Sequence, residues 1–226
     1  MGSVGLTLPW EHKLSSVARD GEWRVEPLEG QTEPIRISQE LPQDAAVAAA
    51  CLSGNLQGYE RLFRWQGTRM KNLARNLLGS QADAEDAVQE TFLKIQRSIS
   101  SFRGQSSFVT WTFRILVNTC HDLRRSRLRR KDQVNEDVDA LPPRMELRAP
   151  GPHPSLRMAL ERALARLTAH QRDVFLLYEV EGFRHAEIAG MLEISETASK
   201  NTLFQAKKNL RTMLEPPRSS ATGGSQ

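Results

Sequence analysis

The chain has 226 residues, a formal net charge of +4, and 39% hydrophobic and 26% charged residues. That length buries one large core or two small ones. Cys51 and Cys120 are too few and too far apart for a disulfide framework or a four-cysteine metal site. No run approaches the roughly 18 apolar residues that cross a bilayer, and the start MGSVGLTLPWEHK lacks a signal peptide's charged-then-apolar order. A reducing cytoplasm without membrane insertion is therefore the expected location.

Residues 1–42 scatter Gly, Pro and charge, and read as a poorly ordered extension in which only WRVEPL and PIRIS hint at short strands. Trp10 and Trp23 are unusual there, as docking points or as parts of a loose tail. A helical period begins at Asp44, a plausible N-cap for AAVAAACL, and breaks at Ser53, Gly54 and Asn55. Tyr59, Leu62, Phe63, Met70, Leu73, Ala74 and Leu77 then share one helix face, and Gly79 ends the run. Ser80 or Asp83 caps a third helix whose buried stripe is Ala87, Val88, Thr91, Phe92 and Ile95. The opposite face carries Glu85, Asp86, Gln89 and Glu90, a surface suited to a protein partner, although acids in a first turn also complement the helix dipole.

After a turn at residues 100–105 comes SFVTWTFRILVNTCHDLRRSRLRRK, aromatic at its start and cationic at its end. Phe108, Trp111, Ile115, Leu116, Thr119 and Leu123 recur at helical steps, so one side packs. Arg114, Arg124, Arg125, Arg127, Arg129, Arg130 and Lys131 face only Asp122 in opposition, which points to phosphate or to a solvated charged face. Residues 132–154 hold Pro and acids without a sustained period and read as a flexible linker.

The second unit opens with Leu156, Leu160, Ala163, Leu164 and Leu167 on one face. Thr168 and Gln171 form a capping box for the next helix, which Gly182 is placed to stop. A short helix over residues 185–192, a turn at Glu193, Ile194 and Ser195, and a last helix from Glu196 to about Leu214 make a helix-turn-helix pattern. Ile188, Leu192, Ile194 and Leu203 supply its seam. Thr197, Lys200, Asn201, Phe204, Gln205, Lys207, Lys208 and Arg211 mix hydrogen-bonding and cationic groups on the outer side, as suits a major groove, or as a wet face would also allow. His12, His121, His153, His170 and His185 are dispersed, no Gly-rich phosphate loop occurs, and neither Cys has a base beside it, so no catalytic residue, metal site or cofactor is expected.

The motifs ADAEDAVQETFLKI, FRGQSSFVTWTFRILVNT and LTAHQRDVFLLYEVEGFRHAEIAGMLEIS, in this order, resemble the RNA polymerase sigma factors, specifically the extracytoplasmic-function group with only regions 2 and 4. The resemblance implies an all-α fold of two small domains: region 2 at 43–131 and region 4 at 155–215, with the extension, the linker and a disordered tail at 216–226 unmatched. It implies a non-enzymatic subunit that binds core RNA polymerase through Asp86, Gln89 and Glu90. Minus-ten promoter DNA would meet Trp111, Arg114, Asn118, Arg124 and Arg125, with Trp111 mainly core and Asn118 helping to capture an unstacked base near a loop after Phe113 to Asn118. Thr197, Lys200, Asn201, Phe204, Gln205 and Lys208 would meet the minus-thirty-five element. An anti-sigma factor is a further implied partner, which no residue here identifies.

The chain departs from that pattern at Gln96, Ser199, Thr202 and Gln205, and at Glu193, which replaces a frequent Gly and is tolerable if it avoids positive φ. A dimeric helix-turn-helix repressor and an adaptor for acidic proteins are the competing functions. The first lacks an evident dimerisation surface.

Overall fold

A computed structural model describes residues 42–134 and 154–214. The first stretch forms α1 (Pro42–Leu52), α2 (Leu56–Leu78), α3 (Gln81–Ser98) with a trailing 3₁₀ turn, and α4 (Phe108–Val134). The second forms α5 (Pro154–Ala165), α6 (Ala169–Phe175) continued by a π turn over Leu176–Val180, α7 (His185–Leu192) and α8 (Glu196–Leu214). Among the described residues there is no strand, as the all-α expectation requires. The N-terminal extension with WRVEPL, PIRIS, Trp10 and Trp23, most of the expected linker, and the expected disordered tail lie outside the described residues. Helix α4 runs through residue 134, past the expected start of that linker at 132.

Local chemistry sets the breaks. Asn55 caps α2 by accepting from the Gln57 amide at 3.0 Å, and Gly79, at φ +72°, closes it by donating to the Arg75 carbonyl. Ser80 rather than Asp83 caps α3, its hydroxyl accepting from the Asp83 amide. Gly58 allows α1 and α2 to meet closely: a Cβ there would stand 2.5 Å from the Ala50 carbonyl carbon.

Asp44 corrects an expectation. It lies within the first turn of α1 rather than ahead of it, and its carboxylate caps α4, accepting from the amides of Phe108 at 2.7 Å and Val109 at 2.9 Å. The Ser107 hydroxyl accepts from the Thr110 amide and the Ser107 carbonyl from the Trp111 amide, each at 3.0 Å. The N–H groups of the first three helical residues, which have no intrahelical partner, are thereby satisfied, two of them by a side chain more than sixty residues away in sequence, and the Trp111 bond to Ser107 opens the regular ladder.

Leu62, Met70, Leu73, Ile95, Phe108, Phe113 and Leu116 fill the first core, and Leu164, Leu176, Leu177, Ile188, Leu203, Ala206 and Leu210 the second. Phe63, expected on the buried face of α2, is 55% exposed and leans its ring edge-on against Phe92 at 5.5 Å. The capping box forms as expected, with Gln171 N–H to Thr168 Oγ1 at 3.2 Å and Thr168 N–H to Gln171 Oε1 at 3.3 Å. Gly182, at φ +73°, does stop the α6 run, after one π turn closed by Glu181 N–H to the Leu176 carbonyl at 2.9 Å.

The two units touch along α4 and α7. Phe113 meets Phe183 at 5.2 Å between ring centroids, and the Arg69 guanidinium lies over both rings at 4.6 and 5.2 Å. Arg69 also donates through Nε to Glu181 Oε2 and through Nη2 to the Glu181 carbonyl, both at 2.6 Å. Thr110 Oγ1 donates to Glu187 Oε1 at 2.6 Å, while Glu187 Oε2 accepts from the Arg184 amide and so holds the start of α7. Phe113 has no place in the stripe expected for α4; it is fully buried, with Arg69 of the first unit and Phe183 of the second against its ring.

Candidate nucleic-acid interface

Helix α8 divides cleanly. Ser199, Leu203, Ala206 and Leu210 are buried, and Thr197, Lys200, Asn201, Phe204, Gln205 and Lys208 are all exposed. Phe204 is 65% exposed, so its ring is accessible for an apolar contact such as one with a thymine methyl group. Lys200 pairs with Glu196 at 2.7 Å, and this hydrogen bond holds the Glu196 carboxyl below its usual range. Both groups are solvated, so that pair yields readily to a phosphate.

Beneath this face, Ser199 occupies a fully buried position and satisfies its hydroxyl against His185 Nδ1 at 2.9 Å. His185 stacks on Tyr178 at 4.4 Å, and burial, followed by the charge of Lys200, lowers its pKa. A polar pair thus fills a buried position beneath the face.

Glu193 does not meet the condition of avoiding positive φ. It adopts φ +56°, the left-handed conformation, which costs a non-glycine residue about 1–2 kcal/mol. Its amide donates to the Ala189 carbonyl, closing α7, and its carboxylate lies 4.0 Å from Arg114 across the junction of the two units.

On α4, Arg114, Asn118 and Arg125 are exposed on neighbouring turns. Trp111 is half-buried, stacked on Phe108 at 5.8 Å and tilted against Phe102 at 5.5 Å, which agrees with a mainly structural ring. Arg124 is committed elsewhere: its Nη2 lies 3.2 Å from Asp173 Oδ2, which also meets His121 Nε2 at 2.8 Å. Arg125 pairs with Asp122 at 2.7 Å, and Arg127 with Asp83. No loop follows Phe113 to Asn118, because α4 is unbroken there. The irregular segment precedes the helix at residues 102–107, and contributes Gln105 and Ser106 to a cleft of about 300 Å³ with Thr110, Trp111 and Arg114. A second cleft of about 400 Å³ opens beside Asn118, Arg124 and Arg125, walled on its far side by Met191, Leu192 and Glu193.

The acidic face of α3 exposes Asp86 and Gln89 fully and Glu90 partly. Glu85 is turned to Lys71 at 3.0 Å, and that hydrogen bond holds its carboxyl below the usual range. Asp86 forms no ion pair among the described residues, so its charge stays available to a partner.

Among the described residues no three His, Cys, Asp or Glu side chains gather as a metal site would require. No described helix is long and apolar enough to cross a membrane. Burial raises the Cys51 thiol to about 11 and the Cys120 thiol to about 12. The junction residues Arg69, Thr110, Phe113, His121, Asp173, Glu181, Phe183 and Glu187 carry no local sequence signal for their pairing, since each partner lies far along the chain.

Residues 62–130 match Sigma-70 region 2, and residues 157–210 match Sigma-70, region 4. The ECF RNA polymerase sigma factor SigM of Mycobacterium tuberculosis is 30% identical over 171 residues, 76% of this chain and 84% of that one. The ECF RNA polymerase sigma-E factor of Haemophilus influenzae is also 30% identical, over 71% of this chain and 91% of its own length. In fold, the sigma factor RpoE of Bartonella quintana, solved in complex with the anti-sigma factor NepR, superposes with a TM-score of 0.60 at 24% identity, over 72% of this chain and all of that one. The chain belongs to the extracytoplasmic-function sigma factors, the subunits that bind core RNA polymerase and direct it to promoters.

Proposed function

We propose a division of this activity among three faces. Asp86, Gln89 and Glu90 on α3 grip the core polymerase. Arg114, Asn118 and Arg125 on α4, with Trp111 as support and Arg124 once released from Asp173, receive the minus-ten element. Thr197, Lys200, Asn201, Phe204, Gln205 and Lys208 on α8 read the minus-thirty-five duplex. The observation that carries this reading is the sidedness of α8: six groups expected at the groove are exposed on one face of a helix whose other face is core. Cations there supply sequence-independent attraction, while Asn201, Gln205 and Phe204 offer the hydrogen-bond and apolar contacts that discriminate bases.

The domain limits that fit this reading are 43–131 and 155–215. The subunit itself is not an enzyme: nucleotidyl transfer stays with the polymerase, and the site of action is the cytoplasm. The fold shared with a sigma factor crystallised with NepR supports control by an anti-sigma factor that competes for the same faces.

Reconstitution with core polymerase tests the assignment. Asn118→Ala should reduce promoter opening and leave core binding intact, and joint charge reversal at Asp86 and Glu90 should weaken core binding. Equal loss of both activities in the first variant, or full affinity in the second, would remove the respective role.

A further inference from the structure

We infer that the cleft in which α7 and α8 both begin seats a DNA phosphodiester, and that His185 takes up a proton as the phosphate arrives. This rests on the reading of α8 as the duplex-facing helix. The polar groups lining that cleft, of about 380 Å³, are Tyr178, Arg184, His185, Glu196 and Lys200. Lys200 is one of the groups assigned to the duplex, so the approach that brings it to the backbone also brings a phosphate over the cleft. Glu196 is the one carboxylate in the lining, and Lys200 holds it at 2.7 Å. With His185 neutral, two cations oppose that carboxylate; with His185 charged, three do.

The imidazole can change charge in place. Its Nδ1 lies 2.9 Å from the hydroxyl of the fully buried Ser199, a group that both accepts and donates and so holds either the neutral ring or the imidazolium. An aliphatic side chain at that position would hold neither. Tyr178 stacks on the imidazole at 4.4 Å and offers a π face that favours the charged form. Nε2 forms no hydrogen bond among the described residues, and the ring borders the cleft, so a phosphate oxygen can accept from it, most strongly when the ring is charged.

In the free protein, burial first and then Lys200 and Lys207 push the ring toward neutral, while Glu196 and Glu179 oppose them. Arg184 precedes the ring, and Glu187 is tied to the Thr110 hydroxyl and the Arg184 amide. No charged group of α4 acts on His185. A phosphate tips this balance, because its negative charge favours the imidazolium and raises the proton affinity of the ring. Duplex affinity therefore increases as pH falls through the bound-state pKa and levels off below the free-state one.

The test uses the full chain and a short duplex enriched from a randomised pool by binding to it. Anisotropy gives the affinity between about pH 5.5 and 8 for the unaltered chain, His185→Gln and Ser199→Ala. The unaltered chain should bind about fivefold more tightly at the acid end, beyond any change in His185→Gln, as follows when a phosphate raises the imidazole pKa by about one unit. Ser199→Ala deprives Nδ1 of its partner, so its gain should shrink to about twofold. NMR of labelled histidine in the unaltered chain follows the ring itself, and its titration midpoint should move up when duplex is added. That measurement decides the matter if His185→Gln folds poorly. A midpoint that stays or falls, or a pH dependence equal to that of His185→Gln, overturns the inference and leaves the α8 reading intact. Failure to enrich any duplex at any pH removes the α8 reading, and the phosphate site with it.

Discussion

The placement of the minus-ten face depends on a cap that comes from another helix, and Asp44→Ala measures it. Asp44 is 8% exposed, and its carboxylate accepts from two α4 amides at 2.7 and 2.9 Å. Hydrogen bonds to a charged group contribute about 1.5–3 kcal/mol each, and loss of an ordinary N-cap costs about 0.5–2 kcal/mol. Because the site is buried, water replaces the lost acceptor only in part, and the two bonds share one carboxylate, so a loss of about 2–4 kcal/mol is expected rather than their full sum. With a urea slope of about 2 kcal/mol per molar, the unfolding midpoint of the first unit should fall by about 1–2 M. Asp44→Asn, which keeps one acceptor oxygen, should lose about half as much. Equilibrium urea unfolding of the full chain, followed by circular dichroism, reads both. A loss below about 0.5 kcal/mol for the alanine variant would mean that α4 is positioned by packing alone.

Other consequences follow from the same geometry. Replacing Lys200 and Lys208 with alanine should lower the slope of log affinity against log salt for upstream duplex by about 1.8, and an unchanged slope would remove both from phosphate contact. His185, its pKa lowered by burial and by Lys200, holds fewer protons when folded than unfolded below its ordinary value of about 6.5. Stability from this group is complete above that value and is lost as pH falls toward the folded pKa, so urea midpoints of the second unit should drop on acidification less steeply in His185→Gln. Parallel pH curves for the two proteins would contradict this. At pH 8 a thiol of pKa about 11 is ionised in only about one molecule in a thousand, so Cys51 and Cys120 should react with a chromogenic disulfide no faster than the chain unfolds. Rapid stoichiometric reaction in native buffer would show that burial of these thiols is wrong.

Much of the helical frame was legible because it rests on short-range chemistry. The Thr168 and Gln171 capping box, the Gly79 stop and the turn at residues 193–195 each depend on residues within one helical turn, and each is found. What escaped depends on distance along the chain. Asp44 looks like a cap for its own helix because the amides it serves begin at Phe108, which no local pattern connects to it. Phe113 has no place in the α4 stripe, because the groups that lie against its ring, Arg69 on α2 and Phe183 in the segment before α7, are far along the chain. Glu193 is free of strain only if it avoids positive φ, and it does not: it takes the left-handed geometry that suits a glycine. For the site, exposure of the α8 groups was readable from period alone. The commitment of Arg124 to Asp173 was not, since a basic run gives no sign of which member is paired.

The central claim is that α4 and α8 read two separate stretches of promoter, and photocrosslinking in the assembled initiation complex tests it most directly. With a photoreactive amino acid at position 118 or 204, the first should crosslink to the non-template strand of the minus-ten element and the second to upstream duplex. Crosslinks from both positions to polymerase subunits alone, or from position 118 to the upstream duplex, would contradict it.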